Sequence, residues 1–145
     1  MTITELLAWS PELALDDPRT DATHQEFIEL LNRTANAPEA DKPAHFQALL
    51  SHTVEHFAQE ERWMLATGIP AEHCHFGQHS SVLEVMKEVA KRALQGEIEL
   101  IDRMAEALAE WFPGHAQSMD AGLVIHLQQQ GFDTVSETLR EETST

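Results

Sequence analysis

His56-Phe57-Ala58-Gln59-Glu60-Glu61-Arg62-Trp63-Met64, followed after Gly68 and Pro70 by His75-Phe76-Gly77-Gln78-His79, are the stretches on which the reading of this chain turns. Residues four apart project from one face of a helix, so His56 pairs with Glu60 and His75 with His79. Around the first pair, Phe46, Leu49, Leu50, Thr53, Phe57 and Met64 extend a stripe of helical period from Asp41, a candidate N-cap, to Gly68. Glu60 interrupts that stripe. An ionised carboxylate among Phe, Leu and Met is costly to bury unless it is paired or bound to a metal.

Three further blocks carry the same period. His24, Phe27, Ile28, Leu31 and Ala35 share a face of a helix predicted from Pro18 to just before Pro38. Pro70 suits the first turn of a third helix that turns His75, His79, Val82, Met86, Val89 and Ala93 inward and stops near Gly96. A fourth carries Ile101, Ala105, Leu108, Phe112, His115, Met119 and Gly122 and ends around Gly131. No sustained β-type alternation occurs, so the fold class is all-α. Short connections between long helices favour antiparallel neighbours, giving an up-down-up-down four-helix bundle over about 18–131, with an N-terminal arm over 1–17 and a C-terminal extension over 132–145. Within one such domain, Asp133 to Arg140 is expected to form a short extra helix and Glu137 to Thr145 to fray.

The antiparallel arrangement has a consequence for height. His24 lies about 15 residues before the middle of the first connection and His56 about 17 after it, so at ~1.5 Å per residue they are level. Glu60 and His75 flank the second connection at comparable distances, and His79 and His115 flank the third in the same way. His24, His56, Glu60, His75, His79, His115 and Asp120 therefore fall in one layer toward one end of the bundle. Five imidazoles and two carboxylates suffice for two metal ions with one coordination position open. Pro113 and Gly114 predict a kink or break in the fourth helix, and a five-residue separation turns ~140° around an ideal helix, so His115 and Asp120 should serve different directions. His45 and His73 are expected to be exposed, His52 to lie on a bundle flank, and His126 to be about 16 Å beyond His115, too far to be a ligand.

Composition narrows the functions further. Nine Lys and Arg against 25 Asp and Glu give a formal charge of −16, which repels phosphate backbones and anionic lipid and argues against nucleic-acid or membrane partners. No apolar run approaches the ~20 residues that cross a bilayer. Cys74 is the single cysteine and the start of the chain lacks a signal-peptide pattern, which points to a reducing, cytoplasmic setting. Nothing in the composition sets the oligomeric state.

Asp21-Ala22-Thr23-His24-Gln25, the two stretches quoted at the outset, and Trp111-Phe112-Pro113-Gly114-His115-Ala116-Gln117-Ser118-Met119-Asp120, with Trp9 upstream, together resemble the hemerythrin family in its single-domain bacterial form. The resemblance implies two iron ions, one held by His75, His79 and His115, the other by His24 and His56. Glu60 and Asp120 would bridge them together with a solvent-derived oxo or hydroxo group. The second iron would keep an open position for dioxygen, so the family implies reversible binding for storage, delivery or scavenging rather than an enzyme. Ligand type agrees, because ferritin-like di-iron proteins use four Glu and two His and leave more open positions than this imidazole-rich set. Phe27, Phe57, Trp111, Phe112 and Ala116 are candidates for an apolar oxygen pocket that excludes water. Two departures stand out: Ala116 replaces the larger aliphatic residue usual after the last histidine, implying a roomier pocket, and the chain between His79 and His115 is longer than in short family members. The alternatives are a di-iron enzyme acting on peroxide or nitric oxide, and an oxygen or redox sensor working through a partner.

Overall fold

The computed structural model describes residues 5–140. Four long helices, α1 (Pro18–Asn36), α2 (Lys42–Ala66), α3 (Cys74–Leu94) and α4 (Glu99–His115), pack in sequence, and α4 returns to α1 to close an antiparallel four-helix bundle. A wide turn (Ala116–Asp120) links α4 to α5 (Ala121–Gln130), and a short hairpin follows, β1 (Phe132–Asp133) with β2 (Thr138–Leu139). The first helix begins as its sequence directs: Pro18 occupies the first turn and the Asp17 carboxylate accepts from the Thr20 backbone N–H at 3.0 Å. Gly96, at φ 103, makes the reversal between α3 and α4, a conformation that costs glycine little.

Among the described residues most of the buried apolar side chains fall into two clusters. The larger joins Phe27, Ile28, Leu31, Phe46, Leu49, Met86, Ile101, Leu108 and Phe112 along the bundle, and the N-terminal arm closes it with Leu6, Leu7, Trp9 and Leu13. Asn32 holds the arm by accepting from Leu6 N–H at 2.8 Å and donating to the Leu7 carbonyl at 2.8 Å. The smaller cluster, Trp63, Met64, Phe76, Leu123, Leu127 and Phe132, lies at the opposite end.

Three sequence expectations give way here. Pro70 does not begin the third helix: Pro70 to His73 form a turn, and the helix starts at Cys74 with the His73 ring accepting the His75 N–H at 3.1 Å. Along α3, Met86 and Ala93 are buried, whereas Val82 and Val89 are half-buried. The fourth helix bears the expected interruption, placed just beyond Pro113 and Gly114. It continues to His115 and then opens into one turn of π type, in which Ala121 N–H donates to the Ala116 carbonyl five residues back. The extra residue in that turn resets the inner stripe to Asp120, Leu123, Val124 and Leu127, leaving Met119 half-buried and Gly122 exposed.

Residues 133–140 form the hairpin rather than a helix. The Asp133 carboxylate accepts from Val135 N–H at 2.8 Å and Ser136 N–H at 3.4 Å, a local turn that competes with helical bonding. The expected fraying of Glu137 to Thr145 divides at the boundary of description. Glu137 to Arg140 are tied down, since Glu137 accepts from the Trp63 indole at 2.8 Å and Arg140 N–H donates to the Gly131 carbonyl at 2.7 Å, while 141–145 lie outside the described residues.

Asp17 joins these ends, because besides capping α1 it accepts from Thr134 Oγ1 at 2.8 Å. Asp17→Ala should therefore cost about 1–2 kcal/mol in chemical denaturation, the upper part of the range for a lost cap, whereas Asp17→Asn should recover most of it. A loss below about 0.3 kcal/mol would show that the cap and the hairpin tie are both dispensable.

Candidate metal centre

The seven residues aligned in height from the sequence converge in one buried cluster between the two apolar clusters. His24 comes from α1, His56 and Glu60 from α2, His75 and His79 from α3, His115 from the last position of α4 and Asp120 from the end of the π turn. Their relative exposures lie between 0% and 3%, so water does not solvate their charges.

The two carboxylates divide their oxygens. Glu60 Oε2 lies 2.7 Å from His56 Nε2 and 3.7 Å from His24 Nε2, while Oε1 lies 3.3 Å from His75 Nε2 and 3.2 Å from His79 Nε2. Asp120 Oδ2 lies 3.1 Å from His24 Nε2, while Oδ1 lies 3.0 Å from His75 Nε2 and 3.2 Å from His115 Nε2. Two donor groups result: His24, His56, Glu60 and Asp120 form one, and Glu60, His75, His79, His115 and Asp120 form the other. Every imidazole turns Nε2 to the centre. His115 and Asp120 therefore meet, against the expectation of different directions, because the π turn spends one more residue per turn than an α-helix and brings position 120 back beneath position 115.

The donor set fits a pair of metal ions. His24, His75, His79 and His115 Nε2, Glu60 Oε1 and both Asp120 oxygens are buried without a hydrogen-bond partner among the described residues. A buried polar group left unsatisfied costs ~1–3 kcal/mol. Nitrogen and oxygen donors converging in this way are suited to a cation, whose coordination would remove that cost.

Within the cluster the carboxylates and imidazoles shift one another's protonation. Burial pushes the His24 and His75 imidazoles down, but the Asp120 and Glu60 carboxylates outweigh it and raise each to about 9. Burial raises Glu60, yet His56, His24 and His75 hold it well below the usual carboxylate range. Asp120 is likewise lowered, against burial and the neighbouring charge of Glu60, by His115, His24 and His75. His79 goes the other way, lowered because burial exceeds the pull of Glu60.

Aromatic rings brace the ligands. Phe57 stacks on His79 with centroids 3.9 Å apart, and Trp111 stacks on His115 at 4.3 Å. Phe112 meets His24 edge-on at 5.0 Å and stacks with Phe27 at 4.8 Å. The five pocket candidates thus divide: Phe27 and Phe112 lie beside the two-histidine group, Trp111 lies against the three-histidine group, Phe57 touches ligands of both, and Ala116 is fully buried in the main core. His45 and His73 are exposed and His126 bonds the Thr67 carbonyl at 2.9 Å, away from the centre. His52 is half-buried, 3.2 Å from Glu26, with its ring 6.1 Å from that of His56. The sequence alone does not single out Gln78, whose Oε1 lies 2.8 Å from His115 Nδ1. That contact depends on how α3 docks against α4.

Residues 18–125 match the family model described as the hemerythrin HHE cation binding domain, and the chain belongs to the hemerythrin family. It is similar to the bacteriohemerythrin of Ralstonia nicotianae, 41% identical over 132 residues that cover 91% of this chain and 96% of the relative. Bacteriohemerythrins of Pseudomonas aeruginosa, 26% identical over 81% of this chain and 79% of the relative, and of Methylococcus capsulatus, 24% identical over 79% and 92%, are similar at greater distance.

The raised imidazoles set a pH dependence for the metal-free protein. His24 and His75 favour the folded state while protonated, so their contribution is complete below their ordinary value of 6.5 and is lost as pH rises through about 9. Thermal melts of chelator-stripped protein should accordingly show a falling melting temperature between pH 6.5 and 9. Protein loaded with metal, where neutral imidazoles are the ligands, should show a flat profile over that window. A flat profile for the stripped protein would mean that these pairs contribute nothing to folding.

Proposed function

We propose that the cluster holds two iron ions, the first by His75, His79 and His115 and the second by His24 and His56. Glu60 and Asp120 bridge them, together with a solvent-derived oxo or hydroxo group. The observation that carries this reading is the division of each carboxylate: one oxygen faces the two-histidine group, His24 and His56 for Glu60 and His24 for Asp120, and the other faces two of the remaining three, His75 and His79 for Glu60 and His75 and His115 for Asp120. A carboxylate serving one ion would not need imidazoles on both oxygens. The first group offers five donors and the second four, so an ion held by His24 and His56 would have the more room for a small ligand.

The function that follows is reversible binding of dioxygen, as a carrier, store or scavenger and not an enzyme, in the cytoplasm. When bound, the iron pair supplies two reducing equivalents and the open position. The chain supplies the rest. His24 and His56 hold the ion that has room, and Phe27 and Phe112 beside them exclude water, which would otherwise promote irreversible oxidation. Ala116, buried directly after His115, presents only a methyl group to the core beside the site. Phe57 and Trp111 keep the His79 and His115 rings in place. Seven protein ligands leave little room for a co-substrate, which favours carriage over turnover, and the similarity to proteins named bacteriohemerythrin supports the same reading.

Metal analysis of the purified protein should give two irons per chain. Adding oxygen to the reduced form should produce charge-transfer absorption that disappears when oxygen is removed and returns when it is restored. One zinc per chain, or a single irreversible oxidation, would overturn the proposal. Glu60→Ala should lower iron content to one ion or none with the helical spectrum retained, because it removes a donor from both groups.

Phe112→Ala should retain both irons yet speed oxidation to the inactive ferric form, by about tenfold or more, because water gains access beside His24. An unchanged rate in stopped-flow measurements would remove Phe112 from the pocket.

A further inference from the structure

Among the ligand imidazoles, His115 has an outward nitrogen engaged by a neighbouring side chain. Its Nδ1 lies 2.8 Å from Gln78 Oε1, whereas Nδ1 of His24, His56 and His79 has no hydrogen-bond partner among the described residues. His115 also ends α4, where the π turn begins. One face of its ring is covered by Trp111. Gln78 stands between the ligands His75 and His79 on α3 and reaches across to α4.

An imidazole offers Nε2 to a metal only when its proton sits on Nδ1. A neutral ring left alone can place that proton on either nitrogen, and a proton on Nε2 would here point toward Asp120 Oδ1, 3.2 Å away. We propose that Gln78 is a positioning residue for the metal centre: its Oε1 accepts the Nδ1–H of His115 and so selects the tautomer and ring plane that present Nε2 to the metal. This rests on the di-iron reading given above. Gln78 does not touch the ions itself. It acts on the one ligand that α4 contributes, and through it on the three-histidine group.

Gln78 lines an open groove between α3 and α4 with Val82, Val85, Met104 and Trp111, so a leucine at this position meets apolar neighbours and leaves the bundle intact. Gln78→Leu removes the acceptor, and Gln78→Glu keeps it. In chelator-competition titrations with ferrous ion, Gln78→Leu should bind one of its two ions about 10–100-fold more weakly than wild type, and Gln78→Glu should recover to within about threefold. Because a carboxylate accepts the Nδ1–H more strongly than an amide, Gln78→Glu should also lower the midpoint potential of the centre, an effect that bulk packing alone does not produce. Wild-type affinity in Gln78→Leu, or failure of Gln78→Glu to rescue, would overturn the inference while leaving the di-iron reading intact. Failure of the wild-type protein to take up a second ion would overturn both. Should Gln78→Leu not fold, the potential of Gln78→Glu decides, and an unchanged value counts against the role.

Discussion

Two buried carboxylates, Glu60 and Asp120, each divide their charge between two sets of imidazoles, and the rest of the structure is arranged around that constraint. A carboxylate with 1–2% exposure has no water to stabilise it, so its partners must come from the protein or from a cation. Glu60 meets imidazoles from α1, α2 and α3, and Asp120 meets imidazoles from α1, α3 and α4. No pair of helices could assemble this set. The charges thus make the bundle interdependent at one level, while the apolar clusters on either side supply the burial that holds the helices together.

The packing that surrounds the centre is directed at ring orientation as much as at filling space. Phe57 lies parallel to His79 within 2°, and Trp111 lies within 25° of His115. Stacking of this kind restricts the twist of an imidazole about its bond to the backbone and so narrows the directions in which Nε2 points. The π turn performs the same service for Asp120 through the main chain. By lengthening one turn it lets a residue five positions after His115 share the same centre, which a regular helix would forbid. The ends of the molecule are closed by polar ties: Asn32 secures the N-terminal arm, and Asp17 and Glu137 secure the hairpin.

Much of this was legible before any coordinates. The spacing His56 to Glu60 and His75 to His79 is a property of helical geometry, and the near-equal distances of His24, His56, His79 and His115 from their connections follow from antiparallel packing. The less legible features share a physical character, in that each depends on a local competition that periodicity does not register. Pro70 favours a helix start, but the His73 ring caps a helix that begins later. Asp133 to Arg140 can be written as a helix, yet the Asp133 carboxylate captures two backbone N–H groups and turns the chain back. Pro113 and Gly114 predict a kink or break, but not that it takes the form of a widened turn a few residues on.

The amino-acid sequence alone determined the class of fold, the membership of the cluster and its common height, because these follow from the identity and spacing of residues along helices that have few ways to pack. Tertiary structure decided how the donors are shared. Which oxygen of Glu60 faces which histidine, how Asp120 comes to lie beneath His115, and why Gln78 rather than a residue nearer in the chain meets His115 Nδ1 are set by the rotation and docking of whole helices. Those quantities arise from the packing of many side chains at once, and no single stretch of sequence contains them.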